Sequence, residues 1–262
     1  MTTETRLGLL SWSEVDALDR DRTVAVLPTA AVEQHGPHLP LDTDTFLCTR
    51  IVEEAASRAQ HAGSVLVAPT LAYGSSAHHM AFAGTLTLTA ATFLTAVGEI
   101  CGSLAEHGFR RLLVVNGHGG NSALARTAVQ QLPVQAPVLA AAVDYWALAR
   151  EEAALVRESP PGGMAHACEF ETSLMLHLRP ESVRRELVRR ELPRPRFAAE
   201  QLDLLLPGAV AARWRTDELS SSGVLGAPDL ATAEKGERLF EACVDGLSAL
   251  IEELRAVALP ES

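Results

Sequence analysis

Two separate stretches of this sequence carry side chains suited to one cation: Glu33, His35 and Asp44 in EQHGPHLPLDTD, and His118 in NGHGGN. Carboxylates combined with imidazoles are the donors expected for zinc, manganese or iron. In an extended segment, residues i and i+2 point the same way, so Glu33 and His35 can face one pocket. Gly36, Pro37 and Pro40 bend the loop and let Asp44 return at a helix start. Its two oxygens can bridge a pair of ions. A third cluster, HACEFETS, offers His166 as general acid or base, because imidazole titrates near neutrality. Glu169 and Glu171 offer a further ligand or base, and spacing alone does not rank them. The chemistry such a set suits is metal-assisted hydrolysis, for example of an amide. A divalent ion lowers the pKa of bound water to about 7 and polarises a carbonyl, and a pair of ions holds both reacting oxygens.

Each sharp reading has a bland competitor. A lone loop carboxylate or histidine is usually solvated, but Glu33, His35, Asp44 and His118 together favour ligation. Asp42 reads as a loop or capping carboxylate. His38 reads equally as an entrance residue or a structural one. Ser75, Ser76, His78 and His79 divide evenly between substrate contact and local turn structure. Glu169 is expected on the surface. A Cys168 nucleophile is disfavoured because no thiol–imidazole geometry is legible. The arginines at 184, 185, 189 and 190 alternate with Glu186 and Glu191, which favours a solvated, salt-bridged face over a phosphate site. NGHGGN is not a dinucleotide loop, since its glycines lack the G-x-G-x-x-G spacing.

The elements that must position these groups alternate between strand and helix. Strands are expected at Thr23 to Pro28, Ser64 to Pro69, Gly84 to Leu88, Arg111 to Val115 and Pro137 to Val143. Helices are expected at Thr45 to Gln60, Ala91 to His107, from near Ser122, at Glu169 to Leu178 and at Thr232 to Ala256. Residues Glu181 to Arg196 read as a solvated connection. The alternation favours a mostly parallel sheet covered on both faces. Glu33 and His118 then both follow strand ends, where ligands gather in open α/β sheets.

Composition agrees. The chain has 262 residues, 47% of them hydrophobic, and a formal net charge of −11. Such a field repels nucleic acid and suits cations. Four scattered cysteines suit a reducing cytoplasm. No apolar run is long enough for a membrane span, and the first residues lack the apolar stretch of a secretion signal.

The runs EQHGPHLPLDTD, YGSSAHHMAFAGTLTL (Tyr73 to Leu88), VVNGHGGN, HACEFETS and GVLGAPDLATAEKGERLF (Gly223 to Phe240) occur in this order. Together they resemble the creatininase family over most of the chain. The resemblance implies one α/β/α domain over residues 1–262, a two-metal site and a homo-hexamer. It assigns one ion to Glu33, Asp44 and His118. The other falls to His35, a bridging Asp44 and a further carboxylate. Zn2+ is the first expectation, with Mn2+ or Fe2+ as alternatives. His166 and Glu171 are the expected catalytic residues, and Ser76, His78 and Gly119 the expected substrate contacts.

One position departs from the creatinine-cleaving pattern. Those members carry Glu two residues after the histidine matching His118, where this chain has Gly120. The resemblance to a glycine-type branch, with deformylase and mycofactocin-system peptidase members, assigns the missing ligand to Glu171. No tryptophan pair precedes His166 to clamp creatinine. The expected activity is cleavage of a non-peptide or cyclic amide C–N bond in a small molecule. A peptidase trimming a small modified peptide, or a non-catalytic metal-binding protein, are the competing expectations.

Overall fold

The computed structural model describes residues 4–59, 65–132, 137–194, 196–197, 199–206 and 208–259. A short helix α1 (Trp12–Asp16) leads into strand β1 (Val24–Thr29). Helix α2 (Thr43–Arg58), strand β2 (Val65–Val67), helix α3 (Ala90–Glu106) and strand β3 (Arg111–Asn116) follow. Then come α4 (Ser122–Gln130), β4 (Leu139–Asp144), α5 (Tyr145–Leu148) and α6 (Arg150–Val156). The chain continues through β5 (Met164–His166), α7 (Glu169–Leu178), α8 (Thr216–Leu219), β6 (Leu225–Gly226) and α9 (Ala233–Ala256).

Strands β2, β1, β3 and β4 form one parallel sheet in that order. Its register pairs Thr29 with Asn116 and Asn116 with Asp144, so the strand ends carrying chemistry lie level. Successive side chains leave opposite faces of a strand. Val24, Val26, Leu113 and Val115 therefore join one core with α2, α7 and α9, among them Leu47, Ile51, Phe170, Leu174, Leu239 and Leu247. Ala25, Leu27, Leu112 and Val114 join the opposite core with Phe93, Val97, Cys101 and Ala125 of α3 and α4. The result is a central sheet sandwiched between helices.

Several expectations needed correction. Gly84 to Leu88 does not form a strand; it keeps only the antiparallel bridge of Leu86 to Val32. Its threonines bond to the loops around the site, where Thr85 Oγ1 accepts from Gln34 N and Thr87 Oγ1 from Ser76 N. The predicted segments reaching Gln60 and Ser64 extend partly outside the described residues. The small antiparallel pair β5–β6 was not expected, because two strands of three and two residues carry no legible period. Asp42 stands at the N-cap position of α2 as a loop carboxylate, but its side chain makes no capping bond and pairs with Arg179 at 2.6 Å. Glu169 is fully buried rather than exposed, because it accepts from Glu158 N, Ser159 N and Lys235 Nζ. Glu191 does not pair with its neighbouring arginines. It gathers Ser220, Ser221 and Ser222, while Arg190 pairs with Asp229.

Candidate metal centre

Strand β1 ends at Thr29, and the chain crosses the top of the sheet as an irregular loop that carries Glu33 and His35 inward. Gly36 makes the turn with φ +62°, and a Cβ there would lie 2.5 Å from Val224 Cγ2. Only glycine suits that position. Asp44 sits in the first turn of α2, where the helix N-terminus favours an ionised carboxylate. His118 lies two residues beyond β3, fixed by Asn116, whose Oδ1 accepts from His118 N and whose Nδ2 donates to His118 O. His166 ends β5, and Glu171 stands in the first turn of α7. Between them Ala167 adopts φ +50°, the one positive-φ non-glycine among the described residues. That conformation costs roughly 1–2 kcal/mol. It makes the tight reversal that brings His166 and Glu171 to the same cavity.

These side chains converge. Asp44 Oδ1 lies 3.0 Å from His35 Nε2, and Asp44 Oδ2 lies 3.1 Å from His118 Nδ1. Glu171 Oε1 is 3.9 Å from His35 Nε2. Glu33 Oε1 is approached by His79 Nε2 at 3.2 Å, His118 Nδ1 at 3.3 Å and His166 Nδ1 at 3.6 Å. Yet both Glu33 oxygens and Asp44 Oδ2 are buried without a properly aligned hydrogen bond. Orphaned buried carboxylate oxygens are costly, and a cation is the partner that would satisfy them. The donor atoms of His35, Asp44 and Glu171 all lie within 4.8 Å of one another, as do those of Glu33, His78 and His118, and those of Glu33, His35 and His166. The residues present fit divalent metal.

The outer faces of the rings fix which nitrogen turns toward the cluster. His118 Nε2 faces the Ser75 carbonyl at 3.1 Å and His35 Nδ1 the Glu33 carbonyl at 3.2 Å, while His166 Nε2 lies 2.8 Å from the Gln34 carbonyl and 3.0 Å from the Gln34 side-chain amide nitrogen. A carbonyl only accepts, so His118 Nε2 and His35 Nδ1 carry hydrogen. The opposite nitrogen faces inward, on the side where a ligating histidine would present its lone pair once deprotonated. Ser76, fully buried, backs His118 with its hydroxyl 3.3 Å from Nε2.

Charge follows the same logic. Burial pushes His35 and His118 down, but the carboxylates outweigh it. Asp44 chiefly holds His35 up at about 10, and Glu33 and Asp44 hold His118 well above its ordinary value. Burial raises Glu33 and Asp44 as well, yet the facing imidazoles bring both below the usual carboxylate range. Glu171 keeps the effect of burial and rises to about 7. His166 is pressed down to about 3 by burial and then by His35, whose ring centroid is 4.4 Å away. Without metal, protons on His35 and His118 supply the positive charge these carboxylates demand.

A cavity of about 480 Å3 opens over the cluster, lined by Glu33, Asp44, His118, His166 and Glu171. His78 and Gly119 also line it. His79 is the neighbour that approaches Glu33; its Nδ1 is held by Gln34 Nε2 at 2.8 Å and Thr216 Oγ1 at 2.7 Å. His38 is buried away from the cavity, bonded to Thr172 Oγ1 at 3.0 Å. Cys168 is buried, its thiol pushed far up by burial and then by Glu171, to which it donates. It is no thiolate nucleophile.

Trp146, Arg213 and Trp214 also line the cavity, and sequence reading had missed them. The one available signal was Trp214 itself, isolated between two arginines in a segment without apolar periodicity. Gly120 has a steric cause: a Cβ would lie 2.3 Å from Ser75 O and 2.4 Å from His118 Nε2. No side chain fits there while His118 keeps its carbonyl partner.

Comparisons with known proteins by sequence and by fold converge on one family. The family model described as Creatininase: Creatinine amidohydrolase matches residues 8–251. A mycofactocin precursor peptide peptidase of Mycobacterium tuberculosis is 38% identical over 231 residues, 84% of this chain and 81% of that protein. A creatinine amidohydrolase of Pseudomonas putida is 31% identical over 264 residues, 94% of this chain and 96% of that protein. A solved creatininase variant of the Zn–Zn type superposes with a TM-score of 0.80 at 29% identity, covering 98% of this chain and 100% of the other.

Proposed function

This chain belongs to the creatininase family of metal-dependent amidohydrolases, and from that premise we propose that its buried cluster hydrolyses an amide C–N bond. Glu33, Asp44 and His118 would hold one divalent ion, and His35, Asp44 and Glu171 the other, with Zn2+ the first choice and Mn2+ or Fe2+ the alternatives. Bound there, the pair supplies an acidified water and an electrophile for the substrate carbonyl. The observation that carries this reading is Asp44, whose two oxygens reach two different histidines, so that the one carboxylate would be shared between the two ligand sets.

The protein's own groups do the rest. His166 Nδ1 faces the cluster while its Nε2 is tied to the Gln34 carbonyl. In this reading it is a neutral imidazole, held so by burial and by His35, that helps move a proton at Nδ1 toward the departing nitrogen. His78 and Gly119 contact the substrate from the cavity wall, and Ser76 acts behind His118. The small-amide reading has a specific competitor. Kinship with a mycofactocin precursor peptide peptidase, at 38% identity, favours a short peptide as substrate. The reading also carries a cytoplasmic homo-oligomer acting as a single domain. Four free buried cysteines suit a reducing compartment, and no helix among the described residues is long and apolar enough to cross a membrane.

The test is a panel of lactams, formamides, linear amides and short peptides. Each is assayed with purified, metal-stripped and metal-restored protein. Turnover that vanishes on stripping and returns with Zn2+ or Mn2+ supports the reading. Full activity in stripped protein overturns it.

A further inference from the structure

Beside the cavity over the cluster lies a second one of about 490 Å3. The two share Gly119, Trp146, Ala165, His166, Leu204 and Trp214 as walls, so they form one continuous cleft. Sites for small molecules commonly occupy about 300–1,000 Å3. The inner chamber alone falls in that range, and the outer one is surplus to a compact ring.

The outer chamber has a distinctive charge balance. Arg126 is matched by Asp144, with Nη2 to Oδ2 at 2.7 Å. Asp203 is occupied by Arg157 at 2.5 Å and by Gly162 N at 2.7 Å. That leaves Arg150, at the start of α6, as the one charged lining residue with no hydrogen bond or ion pair among the described residues. Leu202, Leu204, Val210 and Leu225 make much of the remaining wall apolar. The surplus is positive on a chain whose net charge is −11, where non-specific attraction would favour cations.

We propose that this outer chamber is a substrate subsite for a carboxylate, received by the Arg150 guanidinium, on an extended peptide-like ligand whose apolar part packs along Trp146 and Trp214. The inference rests on the amidohydrolase reading and narrows it, since a ligand filling both chambers is longer than a single lactam. Arginine offers a planar fork of N–H donors that matches a carboxylate with two parallel hydrogen bonds. The carboxylate could come from a chain terminus or from an acidic side chain, and the chemistry is the same.

Binding is measured on the zinc-loaded protein by tryptophan fluorescence. The probes are N-acetyl-Gly-Gly-Gly-Phe with a free terminal carboxylate, the same peptide as its carboxamide, and a carboxamide with Asp in place of the central glycine. Product formation is followed separately, so absence of cleavage counts against the amidohydrolase reading and not against the subsite. At least one carboxylate probe should bind about tenfold tighter than the neutral carboxamide, and which one identifies the source. Arg150→Gln should abolish the difference, and Arg150→Lys should retain part of it. Equal binding of all three probes, no binding by any, or a preference that survives Arg150→Gln would overturn the proposal. The last outcome would place the carboxylate on the metals.

Discussion

Asp44 Oδ2 lies 3.1 Å from His118 Nδ1, while the other oxygen of the same carboxylate lies 3.0 Å from His35 Nε2. One side chain from the first turn of α2 thus joins a loop after β1 to a loop after β3. Removing it and removing Glu171 should have different consequences. Asp44→Asn should lose both ions and reduce turnover by more than about a hundredfold, the upper range found for residues that merely support ligands. Glu171→Gln should lose one ion and keep the other. Elemental analysis after dialysis distinguishes them, and equal metal content in the two variants would contradict a shared bridge.

Metal uptake should release protons. A ligating imidazole must give up the hydrogen on its inward nitrogen. The His35 pKa lies at about 10 in the metal-free protein, raised mainly by Asp44 against the pull of burial. At pH 8, below that value, the ring is still protonated, so binding must expel the proton, and affinity should rise with pH. An indicator dye in weakly buffered solution should record acidification on adding zinc. Uptake without proton release at pH 8 would contradict this.

Gly120 should tolerate no side chain. A Cβ would come within 2.3 Å of Ser75 O and 2.4 Å of His118 Nε2, a backbone oxygen and a ring held by its own hydrogen bond. Gly120→Ala should therefore lower stability by about 1–3 kcal/mol, the usual cost of overpacking, and weaken metal retention with it. Denaturant titration and metal analysis read both effects. A variant as stable and as metal-rich as the parent would mean that the Ser75 loop moves freely.

How much of this was legible in the sequence depends on range. Glu33 with His35, and the return of Asp44 at a helix start, could be read because a short loop with glycine and proline limits where the chain can go. His118 could be placed because a buried β-branched strand ends just before it. Glu169 could not be ranked against Glu171, since its partner Lys235 is 66 residues away and only tertiary packing brings the two to 2.6 Å. Trp214 and Arg150 enter the cleft from segments whose local pattern is that of surface chain. The strand misassigned to Gly84 to Leu88 had the right alternation, but its threonines bond to site loops instead of a ladder.

The Lys235–Glu169 pair ties the first turn of α9 to the first turn of α7, two residues before Glu171. Glu169 is fully buried and Lys235 nearly so. Lys235→Met should leave a buried carboxylate without its cation and cost about 3 kcal/mol or more. Coupling it with Glu169→Leu should recover much of that loss. Urea unfolding of the single and double variants provides the check, and additive losses would show that the two residues act independently.

The most direct measurement is anomalous diffraction at the zinc absorption edge from a crystal of the zinc-loaded protein. The account predicts two peaks flanking the Asp44 carboxylate, one beside Glu33 and His118 and the other beside His35 and Glu171. A single peak away from Asp44, or none in a crystal that holds zinc elsewhere, would contradict it.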